Sequence, residues 1–266
     1  MTYSLGSEDA EVARLEMQAE FLRRPTQVLL EASGICSGMR VLDLGTGVGH
    51  VATAVAEMVG VEGEVVGLDI DPRMIERART RARDFPQVRF IEADVTRWRD
   101  ERAFDAVVGR LIFFHLPEPI AVLRSQLKAV RRGGRVIVLD YDIGGLRAEP
   151  PNDFVDEMAS LMMAAFRCAG ADPTIGSRLR HILTESGVED VEGFGVSEYL
   201  AHDDPVGPGM LSGVIRSLSP LIVAHGLATE AELDLATLAP RAAHALRSTT
   251  SALVPPTLVG AWGRCP

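Results

Sequence analysis

Several residues that can bind or move charge fall at the ends of apolar runs. Asp43 lies within Val41-Leu42-Asp43-Leu44, and Gly45, Gly47 and Gly49 follow it at alternate positions. Glycines adopt unusual dihedrals and let a ligand approach the backbone. The stretch Val51 to Ala56 after them suits a helix, whose start offers unbonded N–H groups and a positive dipole end. Asp69 ends the next apolar run, EVVGLD, about 20 residues past Gly49. In a βαβ unit that spacing sets a carboxylate beside the glycine turn, where it can accept hydrogen bonds from ribose hydroxyls. Asp94 and Arg110 follow the next two apolar runs, and His115 comes soon after. Asp140 and Asp142 flank Tyr141 after a fifth.

The elements that position these residues alternate. Strands are expected at 41–44, 64–69, 88–91, 104–108 and 135–139, with helices at 51–59, after Asp71-Pro72, and at 119–130. Asp71 is a natural N-cap with Pro72 at the first helical position. Strand–helix alternation implies right-handed crossovers and a parallel sheet, an α/β fold. Ligands bind such sheets beyond the carboxyl ends of the strands, the edge where Asp43, Asp69, Asp94, Arg110 and Asp140 map. Upstream, Ser7 caps a helix running to Arg24, with Val12, Leu15, Ala19 and Leu22 as its apolar stripe and Pro25 as its stop. Thr26 to Ala32 forms a second short helix. These N-terminal helices (1–37) could fold over the glycine loop as a lid, with Arg14 and Gln18 reaching a ligand, or simply pack. Downstream, Asn152 caps a helix to about Ala169, and a helix at 176–186 precedes an alternating strand at 188–199. Residues 207–224 form an apolar helix. Thr229 and Glu232 make a capping box for the next, which Pro240 bends or interrupts.

At 266 residues the chain suits one large domain with a cap. The formal net charge of −10 argues against a nucleic-acid partner, because a polyanion needs a Lys/Arg surface. The arginines at 73, 77, 79, 81 and 83 have helical spacing and fit a solvated helix face. Cys36, Cys168 and Cys265 form no CxxC pair, which fits a reducing cytoplasm. No secretory signal pattern and no apolar run near the roughly 20 residues of a membrane span are apparent. His202, Asp203 and Asp204 have the types of metal ligands, but adjacent residues rarely converge on one ion, so no metal site is expected.

These residues together resemble the class I S-adenosylmethionine-dependent methyltransferases. VLDLGTGVGH resembles their first motif, with Asp43, Gly45, Thr46, Gly47 and Gly49 in place. VVGLDIDPRMIERAR resembles the second, FIEADV the third, FDAVVGRLIFFHLPEP the fourth and VRRGGRVIVLD the fifth. The resemblance covers 38–142, the cofactor-binding core. It implies a Rossmann-like, doubly wound, mostly parallel seven-stranded sheet with an antiparallel last strand, here at 258–263. It implies S-adenosylmethionine as cofactor. Asp69 would hold the ribose, Ile70 would lie beside the adenine, Asp94 would reach its amino group, and Val95 would pack on the ring. Arg110 would pair with the cofactor's carboxylate, or instead with an acid such as Asp140. Arg132 departs from the proline usual before the Gly-Gly turn. The family reaches its last strand by a hairpin, whereas this chain inserts 205–255, an apolar helical segment that could cover an acceptor or form a homodimer face. A nicotinamide-binding Rossmann domain would want its third glycine at position 50, which is His50.

Three functions are compatible with the resemblance. The first is methyl transfer to a small molecule, with bacterial secondary metabolism as the expected setting. The second is a macromolecule methyltransferase, disfavoured by charge and by the missing Asn/Asp-Pro-Pro-aromatic and Pro-Cys segments. The third is a protein that keeps the fold but binds only, or catalyses another reaction such as a cyclisation. A hydroxyl acceptor needs a base; His115 is the first candidate, though a loop histidine packing under the cofactor fits its place equally, and Asp140, Tyr141 and Asp142 are weaker. Met158, Met162, Met163, Phe154 and Phe166 recur at helical spacing, as core or as a substrate wall.

Overall fold

The computed structural model describes residues 8–101 and 103–266, with side chains from residue 16 onward. The Ser7 cap and the side chains of Val12, Arg14 and Leu15 lie outside the described residues. The chain divides into two compact units. One comprises 24–141, 175–196 and 258–266; the other comprises the N-terminal residues to Arg23, 142–174 and 197–257.

The first unit is built on a sheet. Helix α1 (Glu8–Ala32) runs through Pro25 instead of stopping there. Its last turns hold because Leu29 and Leu30 are fully buried, and tertiary packing overrides the local cost of a proline. Then come β1 (Arg40–Leu44), α2 (His50–Val59), β2 (Glu64–Asp69), α3 (Pro72–Arg81), β3 (Val88–Glu92), β4 (Phe104–Arg110), α4 (Pro119–Gln126) and β5 (Val130–Asp142). The expected helix to residue 130 ends at Gln126, and a 3₁₀ turn over Leu127–Ala129 leads into a strand that begins before the glycines. Gly133 donates to the Cys265 carbonyl and Cys265 to that of Gly134, each at 2.8 Å, so this early part of β5 has partners of its own.

After the short β6 (Arg147–Glu149) and α5 (Asp153–Cys168), α6 (Ile175–Glu185) and β7 (Glu189–Val196) return to the first unit. The remaining elements are α7 (Val206–Ala224), α8 (Glu230–Leu233), α9 (Leu238–Thr249), β8 (Ala252–Val254) and β9 (Thr257–Arg264). The seven-stranded sheet has the order β3-β2-β1-β4-β5-β9-β7. Strands β1 to β5 pair in parallel, and β9 runs antiparallel to β7, as expected for the last strand. Val41, Leu42, Val65, Val66, Val107, Val108, Val136 and Ile137 are buried along it, as strands covered on both faces require.

The second unit has its own small sheet, β6 paired antiparallel with β8. Helix α5 packs on α7 and α9, which is why 142–174 groups with the segment expected as an isolated insert at 205–255. Asn152 caps α5 as expected. Thr229 and Glu232 form the capping box, but the helix it starts is one turn long. A separate α9 begins just before Pro240, where a first-turn proline costs no hydrogen bond. Helix α7 corrects the expectation of no membrane-length segment: over 19 residues, mean hydropathy 1.3, it is long and apolar enough to span. Its Leu211, Ile215, Leu218 and Ile222 are nonetheless buried, the stripe of a core helix.

Candidate ligand site at the carboxyl ends of the strands

Strand register brings the predicted residues to one edge. Asp43 on β1 is level with Gly67 on β2 and Val108 on β4. Asp69 pairs with Glu92, two residues before Asp94. Arg110 is level with Leu139, the residue before Asp140.

Beyond β1 the chain turns on three glycines in the left-handed region, Gly45, Gly47 and Gly49, at φ 64°, 53° and 85°. Two are there for packing. A Cβ on Gly45 would lie 2.6 Å from Ile112 Cδ1, and one on Gly49 would lie 3.1 Å from Ala78 Cβ. Gly47 differs, since a Cβ there would meet nothing within 4 Å. It borders open space at the start of α2, where amide donors collect.

Asp43 is 1% exposed and its Oδ2 has no hydrogen-bond partner. The Thr46 hydroxyl stands close enough to favour the carboxylate, yet its Oγ1 is also buried without a hydrogen bond of ordinary geometry. Burial pushes the Asp43 carboxyl up to about 7, against the pull of Thr46 and Arg110 and with Asp69 adding to the rise. The Ala52 amide also favours the Asp43 carboxylate, so the buried group is partly, not fully, satisfied by its own turn.

Asp69 is more committed than its sequence spacing suggests. Its Oδ2 accepts from Gly47 N at 2.8 Å and its Oδ1 from Asp71 N at 2.9 Å. Burial raises its pKa, and these two amides oppose the rise. Each oxygen keeps a lone pair, so the carboxylate both clamps the turn and can accept from a ligand. Asp71 caps α3 as expected. Ile70 is 59% exposed, an apolar side chain in water at the end of β2. Asp94 also has local work. Its Oδ1 accepts from Thr96 N and Oγ1 at 2.8 and 2.7 Å, and these bonds hold its pKa below the usual range. Val95 is buried.

Arg110 donates through Nη1 to Thr26 Oγ1 at 2.9 Å. Its charge acts on Asp43 and Tyr141, so a neighbouring acid attracts it. Burial lowers its pKa. Asp140 is fully buried, and its oxygens accept from Phe114 N and Tyr141 N at 3.0 Å each. That carboxylate pins the 3₁₀ turn Phe113–His115, a structural role. His115 sits in that turn, edge-on to Phe114 at 4.8 Å between ring centroids. Asp142 caps the following turn through Gly144 N. Asp204 accepts from Val206 N, a helix-start role. Among the described residues no group of three or more His, Cys, Asp or Glu could hold a metal ion.

Two residues at this edge have no counterpart among the sequence-predicted site residues. Leu111 has φ 55°, a strained conformation for leucine directly after Arg110; no local sequence signal marks it. Thr26 is expected from sequence only as part of a helix. Its place four residues before the buried Leu30 is the available clue that it faces inward.

Comparison with known proteins places these features. A family described as a methyltransferase domain matches residues 35–187. A ubiquinone/menaquinone biosynthesis C-methyltransferase, UbiE, of Idiomarina loihiensis is 33% identical over 116 residues, 42% of this chain and 46% of the relative. The same enzyme of Pseudomonas entomophila is 30% identical over 162 residues, 59% of this chain and 61% of the relative. The chain thus spans about half the length of the curated relatives it matches. Among solved structures, a putative methyltransferase from Bacillus halodurans covers 91% of this chain and 98% of its own, with TM-score 0.57 and 18% identity. The [4+2]-cyclase SpnF covers 91% and 81%, with TM-score 0.52 and 17% identity. At such identities the structures share the fold.

Proposed function

The chain belongs to the methyltransferase-domain family, and from that premise we propose that it transfers a methyl group from S-adenosylmethionine to a small-molecule acceptor. The observation that carries the proposal is the glycine turn after β1, where Gly47 is left-handed, borders open space and is clamped through its amide by Asp69 Oδ2. The residues present fit the cofactor. Asp69 would accept from ribose hydroxyls, Ile70 and Val95 would line the adenine face, and Asp94 would mark its amino group. Gly47 would let the backbone approach, with Gly45 and Gly49 packing the turn around it, and Arg110 would receive the carboxylate. Asp43 and Asp69 supply negative charge suited to a ligand carrying ammonium and sulfonium groups.

The sulfonium supplies the reactive methyl when bound, and transfer is an in-line displacement that needs alignment and exclusion of water. The protein's contribution is to hold the two reactants and, for a hydroxyl acceptor, to take a proton. His115 is the proposed base, supported by its place after β4 and by the turn that Asp140 fixes. The UbiE relatives are carbon methylators of ubiquinone and menaquinone biosynthesis by their names, which supports a small organic acceptor here. A cytoplasmic setting belongs to the same proposal, supported by three cysteines that form no disulfide.

Titration calorimetry with S-adenosylmethionine, S-adenosylhomocysteine and NADH tests the reading. Binding of the first two in the micromolar range and none of NADH is expected. No binding of either sulfur ligand would overturn it and leave a protein that shares only the scaffold. His115→Ala should slow transfer with little change in cofactor affinity; an unchanged rate removes it as base.

A further inference from the structure

We propose that Thr26 is a positioning residue for the cofactor: its hydroxyl fixes the Arg110 guanidinium to receive the carboxylate of the bound amino-acid moiety. The inference rests on the cofactor reading above and adds a residue from outside every motif.

Thr26 is 3% exposed and lies on the last turns of α1. Leu29 and Leu30, three and four residues on, are fully buried, so this face of the helix is pressed into the sheet unit. A Cβ on Gly260 of β9 would lie 2.9 Å from Leu29 Cδ2, which shows how close the helix comes. Thr26 therefore has a fixed backbone, and its side chain bonds a residue 84 positions away.

Arg110 has five N–H donors in a planar fork, and Thr26 accepts from one of them. No Arg110 nitrogen is both buried and unpaired, and the charges that act on the guanidinium are those of Asp43 and Tyr141. Asp43 attracts the guanidinium but does not clamp it. A guanidinium with most of its donors uncommitted, at the carboxyl end of β4, is set up for an anionic ligand group. An unanchored arginine would lose rotamer freedom on binding, at a cost in affinity. The Thr26 bond removes part of that freedom beforehand. The strained Leu111 that follows holds the backbone at the same point.

The test compares two ligands that differ in the group Arg110 would hold. S-adenosylhomocysteine carries the amino-acid carboxylate, and 5′-methylthioadenosine lacks it. Thr26→Val should weaken S-adenosylhomocysteine about tenfold, the scale of one hydrogen bond to a charged group. It should leave 5′-methylthioadenosine within about twofold, since the adenosine contacts are untouched. Thr26→Ser should restore the wild-type affinity. Equal weakening of both ligands, or of neither, overturns the proposal, as does failure of serine to rescue when the melting temperature is unchanged. Wild-type protein that binds neither ligand overturns the cofactor reading itself. Wild-type binding with an insensitive Thr26→Val overturns only the role of Thr26.

Discussion

Val41-Leu42-Asp43 and Val138-Leu139-Asp140 are the same triplet, at the carboxyl ends of β1 and β5, and their aspartates are used in opposite ways. Both are buried, at 1% and 0% exposure. Asp140 gives one oxygen to Phe114 N and the other to Tyr141 N. Asp43 leaves Oδ2 unpartnered beside an equally unpartnered Thr46 hydroxyl. A buried carboxylate with an amide on each oxygen is part of the scaffold, while Asp43, with the Ala52 amide but an oxygen left unbonded, is held at a cost until a ligand or a proton arrives. The difference lies in the turns that meet each strand end. Residues after β4 bend into a 3₁₀ turn that delivers an amide to Asp140, whereas the glycine turn after β1 commits its Gly47 amide to Asp69 instead.

The comparison breaks first at Asp140. Asp140→Ala would orphan two backbone amides in the core, and the expected loss is about 5 kcal/mol, or failure to fold. Urea unfolding of the purified variant measures it. A loss under about 1 kcal/mol would mean that Asp140, like Asp43, waits for a ligand.

Asp43 should behave in the reverse sense. Its carboxyl is raised from 3.8 to about 7 by burial, so the folded state prefers it protonated. The stabilising preference is full below the unfolded pKa and is lost as pH rises through the folded value. Between pH 4 and pH 8 the ligand-free protein should therefore lose stability relative to Asp43→Asn, by on the order of 4 kcal/mol. Unfolding curves of both proteins across that range decide it. A flat difference would show that Asp43 has a partner in solution and belongs with Asp140. The same substitution should weaken S-adenosylmethionine binding, because the stabilising change removes the charge the ligand needs.

The two aspartates also mark how far the sequence could be read. The parallel sheet, the glycine turn, Asp71 as cap and Asp69 at the adjacent strand end are legible from local spacing, and they are where expected. Little that is local separates Asp43 from Asp140, because the Phe114 amide that completes Asp140 comes from a segment 26 residues away. Pro25 reads as a stop, yet packing at Leu29 and Leu30 carries α1 through it. The membership of 142–174 in the helical unit comes from α5 packing on α7 and α9 and from β6 meeting β8, a pairing of residues about 100 apart that no periodicity encodes. Thr26 is the same case at the site, since its meaning comes from Arg110 and not from its own helix.

The smallest effects divide the glycines that both strand ends rely on. Gly49→Ala forces a left-handed residue to carry a Cβ 3.1 Å from Ala78 Cβ and 3.2 Å from its Cα. Dihedral strain and crowding together should cost about 2–3 kcal/mol of stability. Gly47→Ala has the dihedral strain without the crowding, since nothing lies within 4 Å, and should cost about 1 kcal/mol. Its larger effect should be on binding, because the new methyl fills open space at the turn that the cofactor would enter. Paired melting and calorimetry separate the two glycines. If Gly47→Ala bound S-adenosylhomocysteine as tightly as wild type, the open space there would not be the ligand's. The contrast between Asp43 and Asp140 would then rest on their hydrogen bonds alone.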